Sequence, residues 1–260
     1  MDVVYVALTV SASALWLAAA GAYGATWGLA KPGLRRWGDA WVVAGMLLTL
    51  VAGEWLSVSN GPGWAFSRAG LALGLALVML ALRLALGWLH VERVSLLPLL
   101  ALALGLQAYA WLAVGWDNLP AVPTYWPAWH IGRALVLLLG CAALANALAA
   151  LAMHLVAERV AAHTANASTA LASELSVLHD SALRLAVLGT SLALTLAGFH
   201  AWWAYGQPIA GNLAWLIIAW LLLVAGAGGR WLMGSGQRTA FLVLAGALLA
   251  ALAATLTMTL

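Results

Sequence analysis

The feature of this sequence that most limits its fold is a series of apolar runs, each long enough to cross a bilayer. An α-helix needs about 20 apolar residues to span the hydrocarbon core. Charged residues form only 7% of the 260 residues, against about 25% in soluble domains, and they fall between the runs. We therefore expect an all-α membrane bundle of about eight transmembrane helices, forming one domain over residues 1–260. The runs fall near residues 3–29, 40–58, 68–90, 96–115, 126–156, 182–203, 212–228 and 239–258.

The distribution of basic residues predicts how the helices are oriented. Cytoplasmic loops of membrane proteins carry an excess of Lys and Arg, and nine of the eleven basic residues fall in or beside alternate loops. The other side has only Arg68 and Arg133. Both termini are therefore expected outside, in a multi-pass protein of a bacterial-type inner membrane. The nine residues are Lys31, Arg35, Arg36, Arg83, Arg93, Arg159, Arg184, Arg230 and Arg238.

The segment after the fifth run differs from the other connections. It is rich in Ala, Ser, Thr and His, and its charges are spaced as on a helix. Because the fifth run alone already exceeds one bilayer crossing, we interpret residues 157–181 as a cytoplasmic helical loop.

Several classes of protein are excluded by what the chain lacks. The single cysteine, Cys141, lies within an apolar run, so no disulfide framework or Cys-x-x-Cys motif is possible. The basic residues are too scattered to bind nucleic acid. A retinal protein needs a membrane lysine, whereas Lys31 lies in a loop. An ion pump would need more intramembrane carboxylates than Glu54.

Two aromatic clusters with a histidine lie at the predicted outer surface. An interfacial belt of tryptophans explains single Trp residues, whereas a dense cluster with a histidine also suits a flat macrocycle whose metal takes an axial imidazole. Both interpretations remain open from the residues alone. The clusters are Tyr125-Trp126-Pro127-Ala128-Trp129-His130 and His200-Ala201-Trp202-Trp203-Ala204-Tyr205.

The second half of the chain resembles cytochrome c assembly proteins of the CcsA/HemX type. The first cluster and the following Ala142-Ala143-Leu144 are similar to that family's S-H-W-L-x-x-H-V stretch and its A-A-L helix. The resemblance spans roughly residues 120–260, but the family's haem-presenting W-x-W-D core is missing between Trp203 and Trp215. Further matches in order are Arg184, Gly189, Thr195, Gly198, Trp215-Leu216-Ile217-Ile218-Ala219-Trp220, Gly229-Arg230-Trp231 and Gly236-Gln237-Arg238-Thr239-Ala240.

The resemblance implies an outer site for haem b. It makes His130 a haem ligand, and His200 could replace the missing second ligand. Arg133 could bind a propionate or form an ion pair with Glu54. On the inner side, His90 and His154 could serve a second haem site or be ordinary interface residues. The implied pocket aromatics are Trp126, Trp129, Trp202, Trp203, Tyr205 and Trp215.

Two hypotheses about function follow. In the first, the chain binds or presents haem at the outer face without being an enzyme in the usual sense. In the second, it keeps the fold as an accessory subunit of a larger membrane complex and binds no haem. The expected partners are membrane lipid and either a second cytochrome c assembly subunit, an apocytochrome c or a larger complex, but no nucleic acid.

The orientation can be tested by cysteine labelling. With Ser168→Cys in the predicted cytoplasmic loop, a membrane-impermeant maleimide should not label intact cells, because the charge bias places this loop inside. Labelling should appear once the cells are permeabilised. Efficient labelling of intact cells would contradict the predicted topology.

Overall fold

A computed structural model describes the backbone of residues 3–29, 33–61, 64–65, 67–89, 96–116, 128–161, 169–206, 213–233 and 236–256. Side chains are not described at 26–29, 33, 87–89, 115–116, 128–130, 161, 169–170, 204–205 and 232–233. The helices are α1 Val3–Leu29, α2 Gly33–Asn60, α3 Arg68–Leu89, α4 Leu96–Trp116, α5 Ala128–Ala161, α6 Thr169–Tyr205, α7 Leu213–Met233 and α8 Gln237–Leu256.

All eight helices are long and apolar enough to cross a membrane, which confirms the predicted all-α polytopic bundle. The structure differs from the sequence prediction in the lengths of α5 and α6. Residues 157–161 continue α5, and residues 169–181 form the first part of α6, so most of the segment expected as a loop is continuous with these two helices. Its location in the cytoplasm stays a prediction.

The described residues form two compact units, Met1–Tyr125 and Trp126–Leu260. In unit 1, consecutive helices pack together and α4 returns to pack against α1. In unit 2, α5 to α8 pack in the same cyclic order, with α8 against α5. Each unit is therefore an up-and-down four-helix bundle, a division that the sequence prediction of a single domain did not foresee.

In unit 1, polar side chains join α1 to α4. Gln107 donates to the backbone oxygen of Thr9 at 3.0 Å and accepts from the Ser13 hydroxyl at 2.9 Å, and the Trp111 indole donates to the Thr9 hydroxyl at 2.9 Å. Such interhelical hydrogen bonds hold helices together in lipid, where burial of apolar surface gives no driving force.

The sequence analysis counted Arg83 among the basic residues in or beside the inner loops. In the structure, Arg83 lies within α3 and its side chain is fully buried.

In unit 2, α5 and α6 touch backbone to backbone. A Cβ atom added at Gly140 would lie 2.9 Å from the backbone nitrogen of Thr190, and one added at Gly189 would lie 2.8 Å from Cα of Gly140. Only glycine permits this approach, as at other small-residue crossings in membranes. Every residue of α5 from 140 to 151 is buried, so this stretch forms the centre of unit 2.

This crossing predicts opposite effects for two glycines of one helix. Gly140→Ala should lower the free energy of unfolding by about 1–3 kcal/mol, because the new methyl group meets fixed backbone. Gly132→Ala, whose Cβ would meet nothing within 4 Å, should be neutral or stabilise by up to about 1 kcal/mol through helix propensity. Unfolding in mixed micelles, followed by tryptophan fluorescence, measures both. Equal effects would contradict the close crossing.

Candidate functional site

Contacts between α5 and α6 fix which residues of these antiparallel helices lie at the same depth. Near the middle of the pair, Gly140 meets Gly189. Farther along, His179 Nδ1 lies 2.7 Å from the backbone oxygen of Ala147. Advancing along α5 therefore means moving back along α6: Ala147 lies seven residues after Gly140, and His179 lies ten residues before Gly189.

This register places His130 and His200 at the same end of the pair. His130 lies ten residues before Gly140 and His200 eleven residues after Gly189, so the two lie about 15 Å and about 16 Å from the crossing along the helix axes. The predicted position of the two histidines at one depth is compatible with this register and stays a prediction. The approach of the two rings stays a prediction, because the His130 side chain lies outside the described residues.

Arg133 lies one turn inside His130 and is only 8% exposed. It borders a small, partly open cavity of about 10 Å³ that all four helices of unit 2 help to form, and it interacts electrostatically with His200. A volume of this size holds about one water molecule, so this cavity itself cannot hold a porphyrin. The other lining residues are Leu137, Ala193, Ala197, Leu213, Leu216 and Ala254.

The aromatic cluster at the end of α6 does not form one pocket. Trp202 is 67% and Trp203 77% exposed, and consecutive residues of a helix point about 100° apart. Trp203 lies three residues after His200 and shares its flank, whereas Trp202 lies on the other side. Trp203 packs edge-to-face with Phe199, with ring centroids 6.0 Å apart. The expected wall built from both tryptophans is therefore split, and only Trp203 accompanies His200.

For the other residues predicted to form the outer haem site, the structure describes less. Trp126 lies outside the described residues, and Trp129 and Tyr205 are described by their backbone alone. Trp215 is exposed near the start of α7. Glu54 is exposed in unit 1, whereas Arg133 is buried in unit 2, and their predicted ion pair stays a prediction.

At the opposite end of unit 2, His154 uses both ring nitrogens. Nδ1 lies 2.9 Å from the backbone oxygen of Ala172, and Nε2 lies 2.9 Å from the Gln237 amide nitrogen and 3.2 Å from the Glu158 carboxylate. Because a carbonyl can only accept, Nδ1 donates to Ala172. An iron ligand would need Nε2 free, whereas this nitrogen already contacts Gln237 and Glu158, so the contacts favour the interface interpretation of His154 over an inner haem site. His90 lies outside the described residues.

A second inner cluster, missed by the sequence analysis, joins α6 to α7. Arg230 Nε donates to Asp180 at 3.0 Å and Arg230 Nη2 to the Ser176 hydroxyl at 3.3 Å. The neighbouring His179 is fully buried, and its Nε2 has no hydrogen-bond partner. Ser176 and Asp180 are four residues apart and so lie on one helix face, a spacing that could have indicated this cluster once the segment was interpreted as helical.

Paired polar side chains lie toward both ends of unit 2. From Ala197, beside Arg133, to Asp180, beside Arg230, α6 rises by about 25 Å, close to the roughly 30 Å thickness of the hydrocarbon core. Polar side chains also lie between these levels, among them the exposed Arg184 and the buried Asn146 and Thr190. Among the described residues, no group of three or more His, Cys, Asp or Glu side chains is placed to hold a metal ion.

Comparisons with known proteins leave the family open. No protein-family model, no curated protein and no solved structure matches the chain. The likeness to cytochrome c assembly proteins therefore rests on the residues quoted above.

Proposed function

We propose that unit 2 binds haem on its outer surface, at the end of α6, in a bacterial-type inner membrane. The observation that supports this most directly is the α5–α6 register, which brings His130 and His200 to one depth on neighbouring helices. Two axial nitrogens on one iron must lie about 4 Å apart, because each metal–nitrogen bond is about 2 Å long. Histidines at different depths could not satisfy that requirement.

The residues of this chain would divide the binding between them. His200, whose ring is partly exposed, would provide one imidazole ligand and His130 a second. Trp203, on the same flank of α6 as His200, would pack against the macrocycle. Arg133, buried behind His200, contributes positive charge that attracts the propionates toward this end of the bundle without direct contact. Bound haem would supply an iron centre with visible absorption.

The surface position of the proposed haem site suits transfer of haem to a partner protein. A haem that lies on the surface can be handed to a partner without opening the bundle, whereas a haem enclosed in a core cannot. The proposed role is therefore to hold and present haem to a second assembly subunit or an apocytochrome c.

One observation favours a second candidate function. Trp202 and Trp203 are large, apolar and exposed on adjacent flanks of α6, and such surfaces also mark contacts with other proteins. In that case the chain is an accessory subunit of a larger membrane complex and carries no haem.

Absorption spectroscopy of the purified protein distinguishes the two. Wild-type protein should show a Soret band, which His200→Ala and His130→Ala should abolish or shift, because each removes an axial ligand. Trp203→Ala should shift or weaken the band. Trp202→Ala, the matched control on the side of α6 away from His200, and His163→Ala, in the predicted cytoplasmic segment, should leave it unchanged.

Absence of haem from carefully prepared wild-type protein would decide for the accessory subunit. If Trp203→Ala and Trp202→Ala changed the Soret band equally, the assignment of the haem to the flank of α6 that carries Trp203 would be contradicted.

Because the W-x-W-D core is missing, this chain alone should not restore cytochrome c maturation in a strain that lacks the full-length assembly protein. Restoration would show that this core is dispensable.

A further inference from the structure

A groove on the surface of unit 1 is lined entirely by aliphatic and thioether side chains. It has a volume of about 280 Å³, lies between α2 and α3 and is open on one side. This is just below the usual range of small-molecule pockets, about 300–1,000 Å³, and it suits a single chain better than a ring system. The lining residues are Val43, Met46, Leu47, Leu50, Leu77, Val78 and Ala81.

The groove exists because α2 is drawn toward α1 along its length. A Cβ added at Gly38 would lie 2.9 Å from the Tyr23 ring, and one added at Gly45 would overlap the indole of Trp16. These two glycines let α1 approach α2 on the side away from the groove. The packing of α2 against α3 is correspondingly sparse.

Trp64, in the connection between α2 and α3, lies against α2 beyond the outer end of the groove. Trp64 is buried, and a Cβ added at Gly53, one turn beyond Leu50, would lie 3.7 Å from its ring. The Ser67 hydroxyl caps the start of α3 by accepting from the Gly70 amide at 3.1 Å.

Positive charge lies at the open inner end. Arg36 precedes Val43 by seven residues, or two helical turns, so it lies on the same face of α2 about 10 Å away along the axis. Arg35 lies on the neighbouring face, which points toward the Met46 side of the groove. The adjacent Trp37 is exposed, as expected for a residue that anchors a helix at the membrane interface.

We propose that the α2–α3 groove binds one anionic phospholipid, with an acyl chain between the helices and the phosphate at Arg35 and Arg36. Charge complementarity and length both support this occupant. Leu50, at the far end of the groove, lies about 21 Å from Arg36 along the helix axis. One leaflet is about 15 Å deep, so an acyl chain together with its headgroup region spans this distance. Basic sites between helices on the cytoplasmic side bind anionic headgroups in this way.

Native mass spectrometry with phosphatidylglycerol and phosphatidylcholine measures this binding. Wild-type protein in detergent should retain one phosphatidylglycerol and bind it more tightly than phosphatidylcholine. Ala81→Trp, which fills the groove from an exposed position, should abolish retention of both lipids. The double variant Arg35→Gln with Arg36→Gln should weaken the binding of phosphatidylglycerol about fivefold per arginine removed. The binding of phosphatidylcholine should stay unchanged.

Matched controls introduce the same kinds of substitution at positions outside the groove. Leu249→Trp, at an exposed position of α8, and Arg159→Gln with Arg238→Gln should bind lipid like the wild type. Val78→Phe provides a second groove-filling variant should Ala81→Trp fail to fold. Lipid retention unaffected by either groove variant would overturn the proposal. So would a change in oligomeric state with groove variants but none in lipid binding, because it would assign the groove to a second copy of the chain.

Discussion

The contact on which unit 2 depends is the backbone approach of α5 and α6 at Gly140 and Gly189. Two helices that touch without intervening side chains cannot slide past one another, since any shift would push a side chain into fixed backbone. The contact therefore sets the register of the whole pair. It aligns His179 with Ala147 toward one end and, extended to the other end, leads to similar depths for the backbones of His130 and His200.

The bilayer imposes the second constraint. A polar group in hydrocarbon must find a partner within the protein, and unit 2 meets this requirement with contacts such as Arg230 with Asp180 and His154 with Gln237. In unit 1, the apolar α2–α3 groove instead faces the acyl chains themselves.

The sequence predicts the helices well and their grouping poorly. Apolar runs of bilayer length identify all eight helices, because hydrophobic length is a local property. The division into two four-helix bundles depends on contacts between distant segments, for which no local pattern exists. The helical character of residues 169–181 was predicted from the spacing of their charges, but their continuity with α6 was not, because the polarity of Ser176, His179 and Asp180 does not show that it serves contacts with α5 and α7. The tryptophans of α6 are adjacent in sequence, yet the helix directs them to different flanks.

The most direct test of the account is the distance between the outer ends of α5 and α6. Nitroxide labels on cysteines at Ile131 and at successive exposed positions of α6, in a Cys141→Ala background, report the register by electron paramagnetic resonance. The account predicts the shortest distance for Phe199, a longer one for Leu188 and the longest for Val177, since each residue adds about 1.5 Å along the axis. A minimum at Leu188 or Val177 would separate His130 from His200 and contradict the proposed site.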